Sequence, residues 1–228
     1  MISKKSEFYG VRIMENAIVY IHGKGGNAEE ALHYKQFFPD CDVIGFDYKS
    51  QTPWDAKEEF SLYFDSLRTK YKSIRIIVNS IGAYFAMNAL STAQIEKAYF
   101  ISPIVNMEQL ITDMMQWAGV TGEELKEKGL IETSFGETLS IDYLNWVKQH
   151  PFSWTVPTAV LYGSKDHMQS MDTIMTFTKN CGADLTVMEN CEHWFHTEEQ
   201  MTFLDEWIVR TASIQKEAEA SGTDFPNG

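Results

Sequence analysis

The 228-residue sequence predicts an α/β fold, with a mostly parallel central sheet flanked by helices. Short runs of apolar and β-branched residues alternate with longer segments in which apolar residues recur at helical spacing. That alternation is typical of parallel strands joined by crossover helices. The length suits one core, since a domain takes roughly 100 to 200 residues, and a composition of 44% hydrophobic and 22% charged residues is that of a globular protein.

Six segments have the length and composition of strands, and five have the apolar spacing of helices. The strands are predicted at residues 17–22, 43–47, 74–80, 97–102, 158–163 and 185–189, with a further edge strand at 8–13. The helices are predicted at residues 28–38, 54–71, 82–90, 168–180 and 197–210. Thr197 and Gln200 have the spacing of a capping box at the start of the last helix.

One interval does not follow this alternation of predicted strands and helices. About fifty residues separate the strands at 97–102 and 158–163, far more than a single crossover helix needs. Short helical patterns at 107–117, 122–128 and 140–149 carry several Met and Trp residues. We interpret residues 107–155 as a helical cap inserted into a single domain of residues 1–212, the alternative being that they complete the main core. Residues 213–228 lose apolar periodicity, which predicts a flexible tail.

Charge and cysteine content limit the partners and the compartment. A formal net charge of -13 repels phosphate backbones and anionic lipid, so nucleic acid is not an expected partner. We attribute the acidic bias to solubility rather than to steering of cationic substrates.

No run approaches the roughly 18 apolar residues of a membrane span, and the N-terminus lacks the apolar region of a signal peptide. Three cysteines, Cys41, Cys181 and Cys191, match no disulfide framework, which predicts a cytoplasmic protein; the oligomeric state is not indicated.

Ser80 ends a predicted buried strand and precedes a helix that begins with the small residues Gly82 and Ala83. A serine at such a turn exposes its hydroxyl, and the helix N-terminus faces the negative charge that develops in acyl transfer. The segment resembles the Gly-x-Ser-x-Gly nucleophile elbow of the α/β-hydrolases, with Val78 in place of the first glycine. The resemblance implies that Ser80 is the nucleophile.

Three further motifs match that family in order. A strand ends in His22-Gly23-Lys24-Gly25-Gly26, a loop which in the family supplies one oxyanion-hole N–H, while the residue after the nucleophile supplies the other. The resemblance therefore implies the backbone amides of Lys24 and Ile81, with Gly25 as an alternative donor.

Asp166 follows the strand at 158–163 in a Gly-x-x-Asp turn, and His193 follows the last predicted strand. The resemblance implies that His193 is the general base and that Asp166 orients it. His196 is a competitor for that role, but its place beside the capping box favours a position at the helix start or on the surface.

The resemblance implies a carboxylesterase-like serine hydrolase without a cofactor or metal, which cleaves a small-molecule ester or thioester through an acyl-enzyme. Acyl transfer, amide hydrolysis and C–C hydrolysis are alternatives on the same fold. The aromatic and Met-rich cap predicts a partly apolar substrate, and Met114, Trp117, Trp146 and Trp194 are the predicted pocket residues.

Three rival interpretations start from the same residues. Residues 23–28 also fit Gly-x-Gly-x-x-Ala, and Asp47 lies about twenty residues further on, as in a dinucleotide-binding fingerprint of a Rossmann protein. Cys191, His193 and His196 are close enough in sequence for a zinc site but lack a partner pair. Finally, Val78 leaves open a non-catalytic ligand-binding protein of the same fold.

Overall fold

The structure is a computed structural model that describes residues 14–221, with side chains described for residues 15–213. The predicted strand at 8–13 lies outside these residues. The strands are β1 (Met14–Ile21), β2 (Asp42–Phe46), β3 (Tyr71–Asn79), β4 (Lys97–Ile101), β5 (Leu130–Glu132), β6 (Thr138–Ser140), β7 (Thr158–Gly163) and β8 (Asp184–Met188). The helices are α1 (Ala31–Tyr34), α2 (Pro53–Arg68), α3 (Ile81–Ala89), α4 (Met107–Ala118), α5 (Gly122–Lys128), α6 (Ile141–Gln149), α7 (Met171–Cys181) and α8 (Glu198–Ser221).

Six strands form one parallel sheet in the order β2-β1-β3-β4-β7-β8, which confirms the predicted fold class. The central strands are buried on both faces, as Ile76, Ile77 and Val78 of β3 illustrate. Because helices cover both faces of such a sheet, its strands are continuous apolar runs without alternation. One core cluster lies between the sheet and α2, α3 and the residues after β4; the other contains Tyr34 of α1 and Trp207 of α8.

The helix predicted at 28–38 is broken into three short pieces. Residues Ala28–Glu30 and Lys35–Phe37 are 3-10 helices on either side of α1. Asn27 begins the first piece: its side-chain oxygen accepts a hydrogen bond from the Glu29 amide, and its own backbone amide donates to the Glu30 carboxylate. Periodicity alone predicts one helix here, because apolar spacing does not distinguish a continuous helix from consecutive short turns.

Between β4 and β7 the chain forms α4, α5, an antiparallel hairpin of β5 and β6, and α6. The three helices lie within a residue of the predicted bounds, while the hairpin was not predicted because each strand has only three residues. We call residues 107–155 the insertion. Leu125, Leu139 and Leu144 from it are buried in the same cluster as the central strands.

The last helix begins with the predicted capping box. The Thr197 amide donates to Gln200 Oε1 at 3.0 Å, and the Gln200 amide donates to Thr197 Oγ1 at 3.3 Å. The helix continues to Ser221, beyond the predicted end at Arg210 and into the predicted tail, and residues 222–228 lie outside the described part. The division at residue 212 stays a prediction. Across residues 14–221, no helix is both long and apolar enough to span a bilayer.

Candidate active site

Ser80 occupies the sharp turn between β3 and α3 with φ 53° and ψ -123°. A positive φ costs a residue with a side chain of order 1–3 kcal/mol, and such strain persists only where surrounding bonds hold it. Here the Ser80 amide donates to the Ile101 carbonyl at 3.0 Å, and the Ser80 carbonyl accepts from Ala83 and Ile104, each at 3.1 Å. The backbone of β4 and α3 therefore holds the serine at the carboxyl edge of the sheet.

The loop after β1 passes directly against this serine. A Cβ added at Gly23 would lie 3.0 Å from Ser80 Cβ and 3.4 Å from the Asn79 carbonyl oxygen, a tight fit that favours a glycine at this close approach. The Gly26 amide donates to the Gly23 carbonyl at 3.2 Å and closes a turn with Lys24 and Gly25 at its centre. The amides of these two residues are not needed for that turn, which suits them to bind an anion beside Ser80.

The side chains of Ser80, His193 and Asp166 form one continuous hydrogen-bonded chain. Ser80 Oγ lies 2.8 Å from His193 Nε2, and His193 Nδ1 lies 2.7 Å from Asp166 Oδ2. The Asp166 side chain is fully buried and that of His193 is 17% exposed. Because an ionised carboxylate only accepts, it places the imidazole proton on Nδ1 and leaves Nε2 free to accept from Ser80.

The turn that carries Asp166 is joined to the loop that carries His193. The amides of Ser164 and Lys165 donate to the carbonyls of Met188 and Cys191 at 3.0 and 2.8 Å, and the Asn190 amide donates to Ser164 Oγ at 2.8 Å. Three strands thus deliver the three side chains to one edge, and backbone hydrogen bonds fix the distance between two of them.

Gln169 is a neighbour of this site that sequence reasoning missed. It is 3% exposed, its Oε1 accepts from the Val105 and Asn106 amides at 3.0 and 2.7 Å, and its Nε2 donates to the Asn106 carbonyl at 3.2 Å. Asp166 Oδ1 in turn accepts from the Met168 amide at 2.7 Å. Gln169 therefore ties the Asp166 turn to the start of the insertion, a contact between distant segments with no local sequence signal.

Two cavities meet at Ser80 and share the loop at residues 23–26. The insertion-side cavity has a volume of about 520 Å³. The loop-side cavity has a volume of about 580 Å³ and is bounded by α8 and the segment after His193, and the walls of both are more apolar than polar. The apolar wall of the first includes Ile104, Met107, Leu110, Ile111, Met114 and Leu139. Lining residues of the second include Tyr20, Glu30, Tyr34, His193, Trp194 and Leu204.

The four predicted pocket residues are divided by the structure. Met114 lines the insertion-side cavity and Trp194 lines the loop-side cavity. Trp117 is half exposed against the rings of Phe135 and His167, and Trp146 stacks on His150 beside a different cavity. Neither of those two tryptophans therefore lines a cavity at Ser80. A helix presents only one face to a cavity. On α4, which carries Trp117, that face holds residues spaced three and four apart that end at Met114.

The two predicted oxyanion donors come from different elements that meet at Ser80. Ile81 is the first residue of α3, where N–H groups have no partner within the helix and the helix dipole is positive. Lys24 lies in the turn of the glycine loop, and its side chain forms an ion pair with Glu137 of the insertion. Both residues line the insertion-side cavity.

His196 and Cys191 are not placed to take part in a reaction at Ser80. The His196 amide donates to Gln200 Oε1 at 3.0 Å at the start of α8, and its ring stacks on Trp194. Burial raises the pKa of the Cys191 thiol to about 11, with the nearby carboxylates of Glu192 and Asp166 adding to the shift. Among residues 15–213, no group of three or more His, Cys, Asp or Glu side chains is placed to hold a metal ion.

The dinucleotide alternative does not fit the loop geometry. The helix after the glycine loop is only the 3-10 stretch Ala28–Glu30, so it lacks the long, aligned N-terminus that binds a pyrophosphate. Glu30 places a carboxylate beside the loop, and Asp47 pairs with Lys49 at 2.7 Å in an exposed position. Phosphate would meet like charge at this loop.

Comparisons with known proteins give structural relatives only. No family model matches the sequence, and no curated protein does. Est1E from Butyrivibrio proteoclasticus is 15% identical, with a TM-score of 0.69 over 92% of this chain and 90% of that one. Alpha/beta hydrolase domain-containing protein 10 from mouse is 16% identical, with a TM-score of 0.66 over 94% and 97%. An esterase from Pyrococcus furiosus is 17% identical, with a TM-score of 0.52 over 90% and 82%. At these identities the likeness is one of fold.

Proposed function

We propose that this chain, which has the α/β-hydrolase fold, is a serine hydrolase that cleaves a small, partly apolar carboxylic ester or thioester through an acyl-enzyme. The observation that carries the proposal is the hydrogen-bonded chain from Ser80 Oγ through His193 to the buried Asp166 carboxylate. A hydroxyl gains nucleophilicity when an adjacent base accepts its proton and a third group orients that base. This arrangement opens onto a cavity of the size that holds a small ligand.

The first half of the reaction forms the acyl-enzyme. Ser80 Oγ attacks the carbonyl carbon while His193 Nε2 takes the hydroxyl proton, and the Asp166 carboxylate stabilises the resulting imidazolium. The amides of Lys24 and Ile81 stabilise the oxyanion of the tetrahedral intermediate. The bond from carbon to the alcohol oxygen, or to the thiol sulfur, then breaks, and the leaving group takes the proton from His193.

The second half repeats these roles with water. His193 Nε2 accepts a proton from a water molecule, whose oxygen attacks the acyl carbon, and the bond to Ser80 Oγ breaks as the proton passes to that oxygen. The carboxylic acid is released and the free serine is restored. The strained turn at Ser80 supports this role, because it projects the hydroxyl beyond the edge of the sheet.

Labelling with a fluorophosphonate probe tests the nucleophile. We expect one labelled site in the native protein and its loss in Ser80→Ala. Ser102→Ala is the matched control, because Ser102 also ends a strand at this edge with a positive φ but is fully buried. Ser102→Ala should label like the wild type. Labelling that persists in Ser80→Ala would remove Ser80 from the mechanism.

A panel of p-nitrophenyl esters tests the substrate class. We expect hydrolysis of short and medium acyl chains, because the cavity is largely apolar and bounded. A feruloyl ester belongs in the panel, since Est1E has been solved with ferulic acid bound. Labelling at Ser80 without turnover of any ester would contradict the ester substrate while leaving the nucleophile in place.

A further inference from the structure

Ser80 lies at the junction of two cavities whose walls differ on the two sides of the nucleophile. Of the two, only the loop-side cavity has His193 among its lining residues, and only the insertion-side cavity has Ile81. An ester bound at Ser80 extends in two directions from its carbonyl carbon, and we call these parts the acyl arm and the alcohol arm. On the premise of the proposed function, the position of His193 assigns one arm to each cavity.

The alcohol oxygen must receive its proton from His193 Nε2 as the bond to the acyl carbon breaks. That oxygen therefore lies on the His193 side of the tetrahedral carbon, and the rest of the alcohol extends into the loop-side cavity. The acyl group then occupies the apolar insertion-side cavity, where Met107, Ile111 and Met114 form part of the wall.

The loop-side cavity has a negative electrostatic character. Glu30 lines it, and its carboxylate is held in place by the Asn27 amide at 3.1 Å and by the Tyr20 hydroxyl. Three basic side chains also line the cavity, and each lies beside a carboxylate. The Lys24 ammonium pairs with Glu137, His33 pairs with Asp205 at 2.7 Å, and His193 pairs with Asp166 at 2.7 Å. With a chain charge of -13, an anionic alcohol would be repelled here and a cationic one attracted.

Trp194 adds an aromatic surface to the same cavity. Its side chain is 68% exposed, which leaves the ring available to a ligand, and the ring is supported by stacking on His196 at 4.5 Å between centroids. It directly follows His193 in the chain and lines the same cavity. The face of an indole ring attracts cations, most strongly those with weakly hydrated alkylammonium groups.

From these observations we propose that the loop-side cavity binds the alcohol arm of the ester and favours an arm that carries a positive charge, with Glu30 and Trp194 as its specificity-determining residues.

The test compares two butyrate esters of the same shape, those of 2-(trimethylammonio)ethanol and of 3,3-dimethylbutanol, which differ by one charge. The measured quantity is the ratio of their kcat/KM values. We expect Glu30→Gln to lower this ratio about five-fold, the size of one unit-charge interaction across a few Å of water-like surroundings. Trp194→Ala should lower it about two- to five-fold. Intrinsic reactivity differences between the esters cancel, because each variant is compared with the wild type.

Glu58→Gln is the matched control, since it removes one carboxylate from the exposed side of α2, away from both cavities. It should leave the ratio unchanged. If Glu30→Gln and Glu58→Gln give the same ratio, the charge preference is wrong. If turnover of these esters is too slow, their inhibition constants against p-nitrophenyl butyrate hydrolysis supply the same ratio. A wild-type protein that the fluorophosphonate probe does not label at Ser80, by contrast, would refute the proposed function itself.

Discussion

Replacing Asp166 by Asn should remove most of the proposed esterase activity while leaving the fold intact. In the wild type, Asp166 Oδ1 accepts from the Met168 amide at 2.7 Å and from the Gln169 amide at 3.4 Å, and Oδ2 faces His193 Nδ1 at 2.7 Å. The two backbone donors will hold the amide oxygen of Asn at the Oδ1 position. The NH2 group then faces His193 Nδ1, which must become an acceptor and transfers the ring proton to Nε2.

A protonated Nε2 cannot accept the Ser80 proton, so the general base is lost. If the amide of the asparagine rotated by 180°, its oxygen would again accept a hydrogen bond from His193 Nδ1. Its NH2 group would then face the Met168 N–H, and the unsatisfied donor would cost about 1–3 kcal/mol. Even then the asparagine lacks the negative charge that stabilises the imidazolium, so we expect kcat to fall by about 10⁴, as it does for the corresponding change in Ser-His-Asp enzymes. At 1.36 kcal/mol for each factor of ten, this is about 5 kcal/mol of transition-state stabilisation.

The assay is kcat/KM for p-nitrophenyl butyrate, with circular dichroism to check folding. Asp42→Asn is the matched control, because Asp42 also accepts a side-chain hydrogen bond, from the Tyr71 hydroxyl at 2.8 Å, but lies at the opposite edge of the sheet. It should stay within about three-fold of the wild type, as for other sites remote from the chemistry. Activity of folded Asp166→Asn within ten-fold of the wild type would refute the orienting role of Asp166.

Three further outcomes are expected. Met114→Trp should shift the preferred p-nitrophenyl ester towards shorter acyl chains, because a larger side chain fills part of the insertion-side cavity; an unchanged chain-length profile would place the acyl group elsewhere. Tyr143→Phe should stabilise the protein, because the Tyr143 hydroxyl is buried without a hydrogen-bond partner among the described residues. The calorimetric Tm should rise by roughly 2–4 °C for each kcal/mol by which the free energy of unfolding increases. Iodoacetamide at pH 8 should modify Cys191 only after unfolding, because burial raises its pKa to about 11; rapid alkylation of Cys191 in the native protein, located by mass spectrometry of its peptide, would contradict this.

The central sheet could be predicted because its strands are buried on both faces. The central strands contain short, continuous apolar runs, and the strand at 158–163 has the predicted bounds. The hairpin of β5 and β6 could not be found in the same way, because three-residue strands are too short to show a pattern. The interruption of the helix within residues 28–38 could not be predicted either, because apolar spacing does not show where a helix is interrupted.

The proximity of Ser80, Asp166 and His193 could be expected because each follows a strand, and the carboxyl ends of parallel strands share one edge. Their chemical roles stay proposals. Gln169 and Glu30 carry no sequence signal, because their positions depend on contacts with segments brought together by folding. The assignment of tryptophans to the pocket failed for Trp117 and Trp146, since composition does not tell which face of a helix meets a cavity.

Val78 stands where the family motif has its first glycine, and the structure explains why the turn accommodates it. Val78 is fully buried in β3 between Ile21 of β1 and Phe100 of β4. The close approach of helix and strand occurs instead at Gly82, where an added Cβ would lie 2.7 Å from the His22 carbonyl oxygen and 3.1 Å from Val78 Cγ1. The absence of a side chain at Gly82 therefore leaves the space that the valine fills.

Restoring the motif with Val78→Gly should accordingly harm the protein. The loss of a buried valine, the cavity it leaves and the flexibility of glycine in a strand together predict a decrease of about 3 kcal/mol in the free energy of unfolding. Denaturant titration measures that decrease, and kcat/KM per fluorophosphonate-titrated site should not rise. Adding Gly82→Ala to Val78→Gly should destabilise further, because the contact with the His22 carbonyl remains. A several-fold gain in kcat/KM for Val78→Gly would show instead that Val78 hinders the nucleophile.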